Sequence, residues 1–258
     1  MKIDIRNISF AYNSAGVLND ISMSVENGEF VCILGPNGSG KSTLMKCINN
    51  ILKAKTGSIL IDGTETAKLS QMDIAKKIGY IPQASNSRLS SNVFETVILG
   101  RRPYVNWKLS EKDREIALKA IQLMGIEDLA FRDFNRLSGG EQQKVIITRA
   151  LAQEPAVLLI DEPTNNLDLK HQMEVLSLIS GIKKGKDIAV LMAIHDLNLA
   201  ARYADKVVMM KHGKIHCAGK PDDVLNRENI RDIFEVEVLI NKISGITQIV
   251  TVNTTENA

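Results

Sequence analysis

At 258 residues the chain is long enough to bury a full core, as one large domain or a core with a subdomain. Lys and Arg total 32 against 30 Asp and Glu, a net charge of +2, which excludes the basic excess of a dedicated nucleic-acid binder. Three scattered cysteines (Cys32, Cys47 and Cys217), with no Cys-x-x-Cys pair, exclude a disulfide framework and read as buried free thiols of a reducing compartment.

The chain starts with Met1-Lys2-Ile3-Asp4-Ile5-Arg6, which alternates like a strand and lacks the apolar block of a signal peptide. Ile8, Tyr12, Ile21, Met23 and Val25 extend a β-rich opening as far as a turn at Asn27-Gly28. Phe30 to Leu34 then reads as a buried strand. It runs into Gly35-Pro36-Asn37-Gly38-Ser39-Gly40-Lys41-Ser42-Thr43, which fits G-x-x-x-x-G-K-[ST]. Glycines let the backbone turn so that successive N–H groups face one concavity at the positive end of the following helix, a setting that suits a polyphosphate. Lys41 can reach terminal phosphates and the Ser42 hydroxyl can ligate Mg²⁺. A Gly-rich turn that binds nothing is the bland reading. The strand before and the apolar helix face of Leu44, Ile48 and Ile51 after it favour a nucleoside triphosphate.

Gly57 to Gly63 and Ile78 to Gln83 are two further short strands, the second stopped by Pro82. From there to about residue 154 the period is helical. Asn92 with Glu95 and Ser110 with Asp113 make capping boxes, and Gly125 stops the second helix. Leu137-Ser138-Gly139-Gly140-Glu141-Gln142 starts the next. Ser138 and Glu141 explain a third capping box, but they leave unexplained two glycines that cost about 1 kcal/mol each in a first turn. Such glycines admit a close neighbour, a backbone or a phosphate, at a positively polarised helix end. An anion site separate from the phosphate loop suggests that a second copy of the chain completes the nucleotide site.

Apolar runs return at Ala156 to Ile160, Ile188 to Ile194 and Val207 to Met210, the pattern of a parallel sheet covered on both faces. The longest of them is far short of the about 18 residues of a membrane span, so the expectation is a soluble cytoplasmic chain whose membrane role comes through a partner. Asp161 and Glu162 end the first run, where ligands of such sheets collect. Asp161 can hold Mg²⁺ and Glu162 can polarise an attacking water; alone, the pair reads by default as a helix-capping acid, and register with the other two motifs favours the catalytic reading. His195, at another strand end, reads as a γ-phosphate contact over a structural histidine. His212 and His216 flank a turn at Gly213 and do not make a zinc pair, and His171 reads as a solvated helix opener. Beyond Pro221 come a short helix, a hairpin around Ser244-Gly245 and a frayed end from Thr254 to Ala258.

Phosphate loop, Leu137–Gln142 string, Asp161-Glu162 and His195, in this order, resemble the ATP-binding cassette of ABC transporters over nearly the whole chain. The resemblance implies an α/β, RecA-like P-loop core with an N-terminal antiparallel β-subdomain and an inserted α-helical subdomain. Residues 1–87 and 155–220 would form the β-subdomain and core, 88–154 the helical subdomain, and 221–258 a C-terminal helix and hairpin. It also implies that Tyr12 stacks on adenine and that Gln83 senses Mg²⁺ and the membrane partner, although these residues also read as a strand aromatic and a turn residue. Ser138, Gly139, Gly140 and Gln142 would act on the ATP held by the opposite subunit of a homodimer, with Asp168 on the loop crossing between the two. Asn165-Asn166 departs from the small residues many cassettes carry there, while the intact Glu162 is that of a hydrolysing site.

Thr96 to Tyr104, Thr164 to Gln172 and the tail with Val224-Leu225 and Ile233-Phe234 are similar to importers of iron–siderophore complexes, haem and cobalamin. Arg101-Arg102 within them reads otherwise as a solvated basic corner. For such an importer the partners would be polytopic membrane permease subunits and, indirectly, an extracytoplasmic substrate-binding protein, with the chain on the cytoplasmic face of the membrane. The competing reading is a non-transport ABC ATPase such as that of iron–sulfur cluster assembly. An importer ATPase for another substrate class also remains open.

Overall fold

The computed structural model describes residues 2–83, 92–105, 107–163, 167–186, 188–243 and 245–254. The expected departure at Asn165-Asn166, Ser244 of the expected turn and the last four residues lie outside them.

Strands β1 (Ile3–Tyr12) and β2 (Ala15–Val25) form an antiparallel hairpin. Strand β3 (Phe30–Leu34), buried at every residue, leads through the phosphate loop into helix α1 (Lys41–Ile48). Then come β4 (Thr56–Ile61), β5 (Thr64–Glu65), helix α2 (Gln71–Lys77) and β6 (Ile78–Ile81). The inserted helices are α3 (Val93–Ile98), α4 (Glu111–Leu123) and α5 (Gly139–Leu151). The core resumes with β7 (Val157–Asp161), α6 (Leu169–Lys186), β8 (Ala189–Ala193), α7 (Leu197–Tyr203), β9 (Lys206–Lys211) and β10 (Lys214–Gly219). Two helices, α8 (Pro221–Val224) and α9 (Arg227–Phe234), precede the terminal hairpin of β11 (Val236–Ile243) and β12 (Ile246–Thr254). The single short helix expected after Pro221 is therefore two, and Thr254 closes a strand.

The main sheet runs β10-β9-β3-β8-β7-β6, with all neighbours parallel except the β10 edge. A second sheet, β2-β1-β4-β5, is antiparallel throughout. Alternation along the buried strands divides the core. Phe30, Cys32, Leu34, Leu158, Ile160, Val190 and Met192 face the inserted helices and the C-terminal elements. Val31, Ile33, Val157, Leu159 and Leu191 face α1 and the antiparallel sheet. Truncating such a residue, Leu158→Ala for instance, costs about 2–5 kcal/mol. The architecture is the P-loop core with an antiparallel β-subdomain and a helical insertion.

All three capping boxes form, at Asn92/Glu95, Ser110/Asp113 and Ser138/Glu141, and Gly125 follows the end of α4 in the left-handed region (φ 61°). Arg101 is not solvated. It lies buried in a 3₁₀ turn, 3.0 Å from Asp113 and 2.9 Å from Glu154, with its guanidinium 4.1 Å from the centre of the Tyr104 ring. Among the described residues no helix is long and apolar enough to cross a membrane.

Candidate nucleotide site

The phosphate loop packs closely at two of its glycines, where the chain around it leaves no room for a side chain. A Cβ at Gly35 (φ 156°) would stand 2.3 Å from the Met210 carbonyl oxygen, and one at Gly40 (φ 102°) 2.8 Å from Leu18. Gly40 is the N-cap of α1 and offers no side-chain bond, so the first N–H groups of that helix stay open toward the loop's hollow. Asn37 to Thr43 line a cleft of about 220 Å³ with Val17, Gln83 and Glu162. Inside it Lys41, buried to 5 % exposure, donates to the carbonyl oxygens of Gly35 (2.8 Å) and Pro36 (3.1 Å). Burial pushes its ammonium below the usual lysine value, against the opposing pull of Glu162 and Asp161. The Ser39 hydroxyl is buried with no hydrogen-bond partner among the described residues. A buried orphan donor among open N–H groups fits a phosphate oxygen.

The acids come from the carboxyl ends of the parallel strands. Asp161 closes β7, and burial raises its carboxyl above the usual range although the Ser42 hydroxyl donates to it at 2.9 Å. Glu162 follows in the left-handed region (φ 52°), its N–H donating to the Ala193 carbonyl of the neighbouring strand. That turn aims its buried carboxylate into the cleft, where it accepts the Gln83 amide and meets Nε2 of His195. Ser42 and Asp161 supply hard oxygen donors, and no cluster of three or more acidic, His or Cys ligands exists among the described residues. This donor set fits Mg²⁺, which takes one or two protein oxygens and completes its shell with water and substrate phosphates.

Phosphate loop, Gln83, Asp161, Glu162 and His195 thus converge within one chain. Tyr12 stands apart, 47 % exposed, its ring edge-on to Phe10 at 4.8 Å. Ser138, Gly139, Gly140, Gln142 and Asp168 do not line the cleft. Ser138 and Gly139 are exposed, and a Cβ on Gly139 would meet nothing within 4 Å. Gly140 differs: its Cα packs so closely on the His171 ring that a Cβ would sit 2.7 Å from it. The Gln142 amide donates within its own chain, to Phe134 and Leu137 carbonyls. His171 is accordingly no solvated opener; it packs on α5 and bonds Asp168 through Nδ1 at 2.8 Å. Val17, which also lines the cleft, escaped the sequence reading because it belongs to no motif.

This site sits within a chain whose relatives are plain. The ABC transporter family model matches residues 18–165. The uncharacterized ABC transporter ATP-binding protein MJ0089 of Methanocaldococcus jannaschii is 49 % identical over 97 % of this chain and 98 % of its own. The petrobactin import ATP-binding protein FpuD of Bacillus anthracis is 34 % identical over 93 % of this chain and 88 % of its own. The cobalamin import ATP-binding protein BtuD of Halobacterium salinarum is 36 % identical over 93 % of this chain, which spans 60 % of that longer protein. Among solved structures, an inward-facing putative metal-chelate type ABC transporter superposes with a TM-score of 0.86 at 27 % identity, covering 98 % of both chains. Fold, site and relatives agree: the chain belongs to the ABC transporter family, as one of its ATP-binding, ATP-hydrolysing cassettes.

Proposed function

We propose that this chain is the ATPase subunit of an importer for a metal chelate, an iron–siderophore complex or its haem and cobalamin counterparts, working through a separate membrane permease. The relatives named for petrobactin and cobalamin import, and the metal-chelate transporter that matches end to end, support that class. In this reading the chain sits at the cytoplasmic face of the membrane against polytopic permease subunits, and an extracytoplasmic binding protein delivers the ligand. Residues 1–87 and 155–220 act as one body, 88–154 as the helical unit and 221–258 as a tail.

Gly35 to Thr43 hold the triphosphate of ATP, with Lys41 at its terminal phosphates and Tyr12 against the adenine. Ser42, Asp161 and Gln83 hold Mg²⁺, which when bound neutralises charge on the phosphates. Glu162 orients and polarises the attacking water, and His195 contacts the γ-phosphate. The single observation that carries the shared-site reading is geometric. The cleft gathers one half of the motifs, while exposed Ser138 and Gly139 start a helix on another part of the surface. A second copy brings its Ser138, Gly139, Gly140 and Gln142 to the open side, with Asp168 between the two. ATP then bridges the copies, and hydrolysis releases them; that difference in binding shifts the attached permease between states.

The test is to co-purify the chain with its permease in lipid and measure ATP hydrolysis with the binding protein loaded with ferric siderophore, haem or cobalamin. One of these chelates should stimulate turnover severalfold over the unloaded binding protein. Turnover indifferent to all three sinks the metal-chelate assignment.

A further inference from the structure

One contact cluster lies outside the cleft and joins its two unpaired motifs. Asp168 stands before α6 and accepts the His171 N–H at 2.9 Å, capping that helix, while its carbonyl accepts from Gln172 at 2.9 Å. The same Oδ1 meets Nδ1 of the His171 ring at 2.8 Å. The Asp168 carboxyl is held below its usual value, first by the His171 backbone N–H and then by the ring, so it is ionised and only accepts. Nδ1 is therefore the donor. The other side of that ring lies against Gly140, so close that any side chain at residue 140 would collide with Cγ and Cδ2. A few residues along, Lys144 and Glu174 pair at 2.7 Å between the same two helices. Beyond this pair a groove of about 710 Å³ opens, lined by Leu123, Met124, Leu178, Gly181 and Ile182. The helices are thus tied at the end that carries Ser138 and Asp168.

We propose that His171 is a positioning residue for the shared ATP site. Its ring seats the start of α5, and its Nδ1–H aims the Asp168 carboxylate, so that Ser138 and Asp168 travel as one unit toward the second copy. The inference rests on the shared-site reading above, and it explains why Gly140 cannot carry a side chain in terms of this chain alone. Asp168 is 65 % exposed and His171 31 %, so the bond contributes little to stability. Its effect belongs to turnover and dimerisation.

The discriminating variants are His171→Phe, which keeps a ring on Gly140 and loses the donor, and His171→Asn, which keeps a donor near Nδ1. His171→Phe should lower kcat about tenfold, with KM for ATP unchanged because the cleft of the same chain is untouched. His171→Asn should recover most of that loss, and both should melt near the native temperature. In a Glu162→Gln background, light scattering with ATP should show dimerisation weakened about tenfold by His171→Phe. Wild-type kcat in His171→Phe, or no recovery in His171→Asn, overturns the role of His171. Should Glu162→Gln with native His171 fail to dimerise on ATP, the shared site itself is wrong and this inference falls with it. Dimerisation that is normal with and without His171→Phe removes the inference alone.

Discussion

Helices α1 and α5 both begin at glycine-rich turns, α1 with its positively polarised N-terminus in the cleft and α5 with its own at the surface, yet they treat their open N–H groups differently. At α1 the N-cap is Gly40, without a side chain to offer, and the nearby cation Lys41 donates to the carbonyls of its own loop. At α5 a capping box is in place: Ser138 Oγ accepts from Glu141 N–H at 3.3 Å, and Glu141 takes the Ser138 N–H at 2.8 Å. The first helix end therefore has no side-chain cap, and the second has its N-cap and N3 N–H groups satisfied by a box that does not serve those of Gly139 and Gly140. In the proposed sandwich this difference sets an order. ATP settles in the phosphate loop first, and a second copy's signature joins by a contact able to share a serine that already has a partner.

The largest expected effect breaks the α1 side chemically while leaving its anion site whole. Glu162→Gln should retain ATP binding and lose about 10²–10⁴-fold in kcat, because the water then lacks its base. It should also accumulate as an ATP-bound dimer in scattering. Turnover at the wild-type rate would remove Glu162 from the mechanism. The α5 side breaks differently. Ser138→Arg puts bulk where the partner's phosphate is to arrive, so the chain should bind nucleotide normally in a titration yet remain monomeric with ATP. A dimer of ordinary affinity would show that α5 has no part in a second copy's site.

Features governed by neighbours in sequence were legible in advance. The capping boxes need only residues three apart, and the buried strands need only an apolar run, so Ser138/Glu141 and Val157–Asp161 appear where the pattern puts them. Helix α2 was missed because among Gln71–Lys77 only Ile74 is buried, which leaves no periodic stripe to read. Arg101 looked solvated because its partners Asp113 and Glu154 are 12 and 53 positions away. Within the site, motif order points to Gln83 and Glu162 separately, and only the fold brings them into contact across 79 positions. Gly140 carries the same lesson: two glycines in a motif look alike in sequence, but one faces open space and the other a histidine ring.

The smallest effect compares α5 with α4, whose capping box is built alike but touches no proposed site. Ser110→Ala and Ser138→Ala should each cost about 1 kcal/mol in denaturant unfolding at neutral pH. Both boxes hold an acid below its usual value: Asp113 chiefly through the Ser110 hydroxyl, Glu141 chiefly through the Ser138 backbone N–H. An acid whose folded value is depressed adds stability above its unfolded value and loses it as pH falls through the folded one. The cost of Ser110→Ala should therefore be full near pH 7 and shrink once the solution is more acidic than the ordinary value of 3.8 for Asp113, whereas Ser138→Ala keeps the backbone N–H that chiefly holds Glu141 and should vary less with pH. At neutral pH the two substitutions cost alike, so kinetics must separate them. Only Ser138→Ala should lower kcat, since its hydroxyl alone has a second acceptor to meet. If Ser110→Ala lowers kcat as much, a loosened helical insertion accounts for both, and the difference between a capped helix end and a shared one disappears.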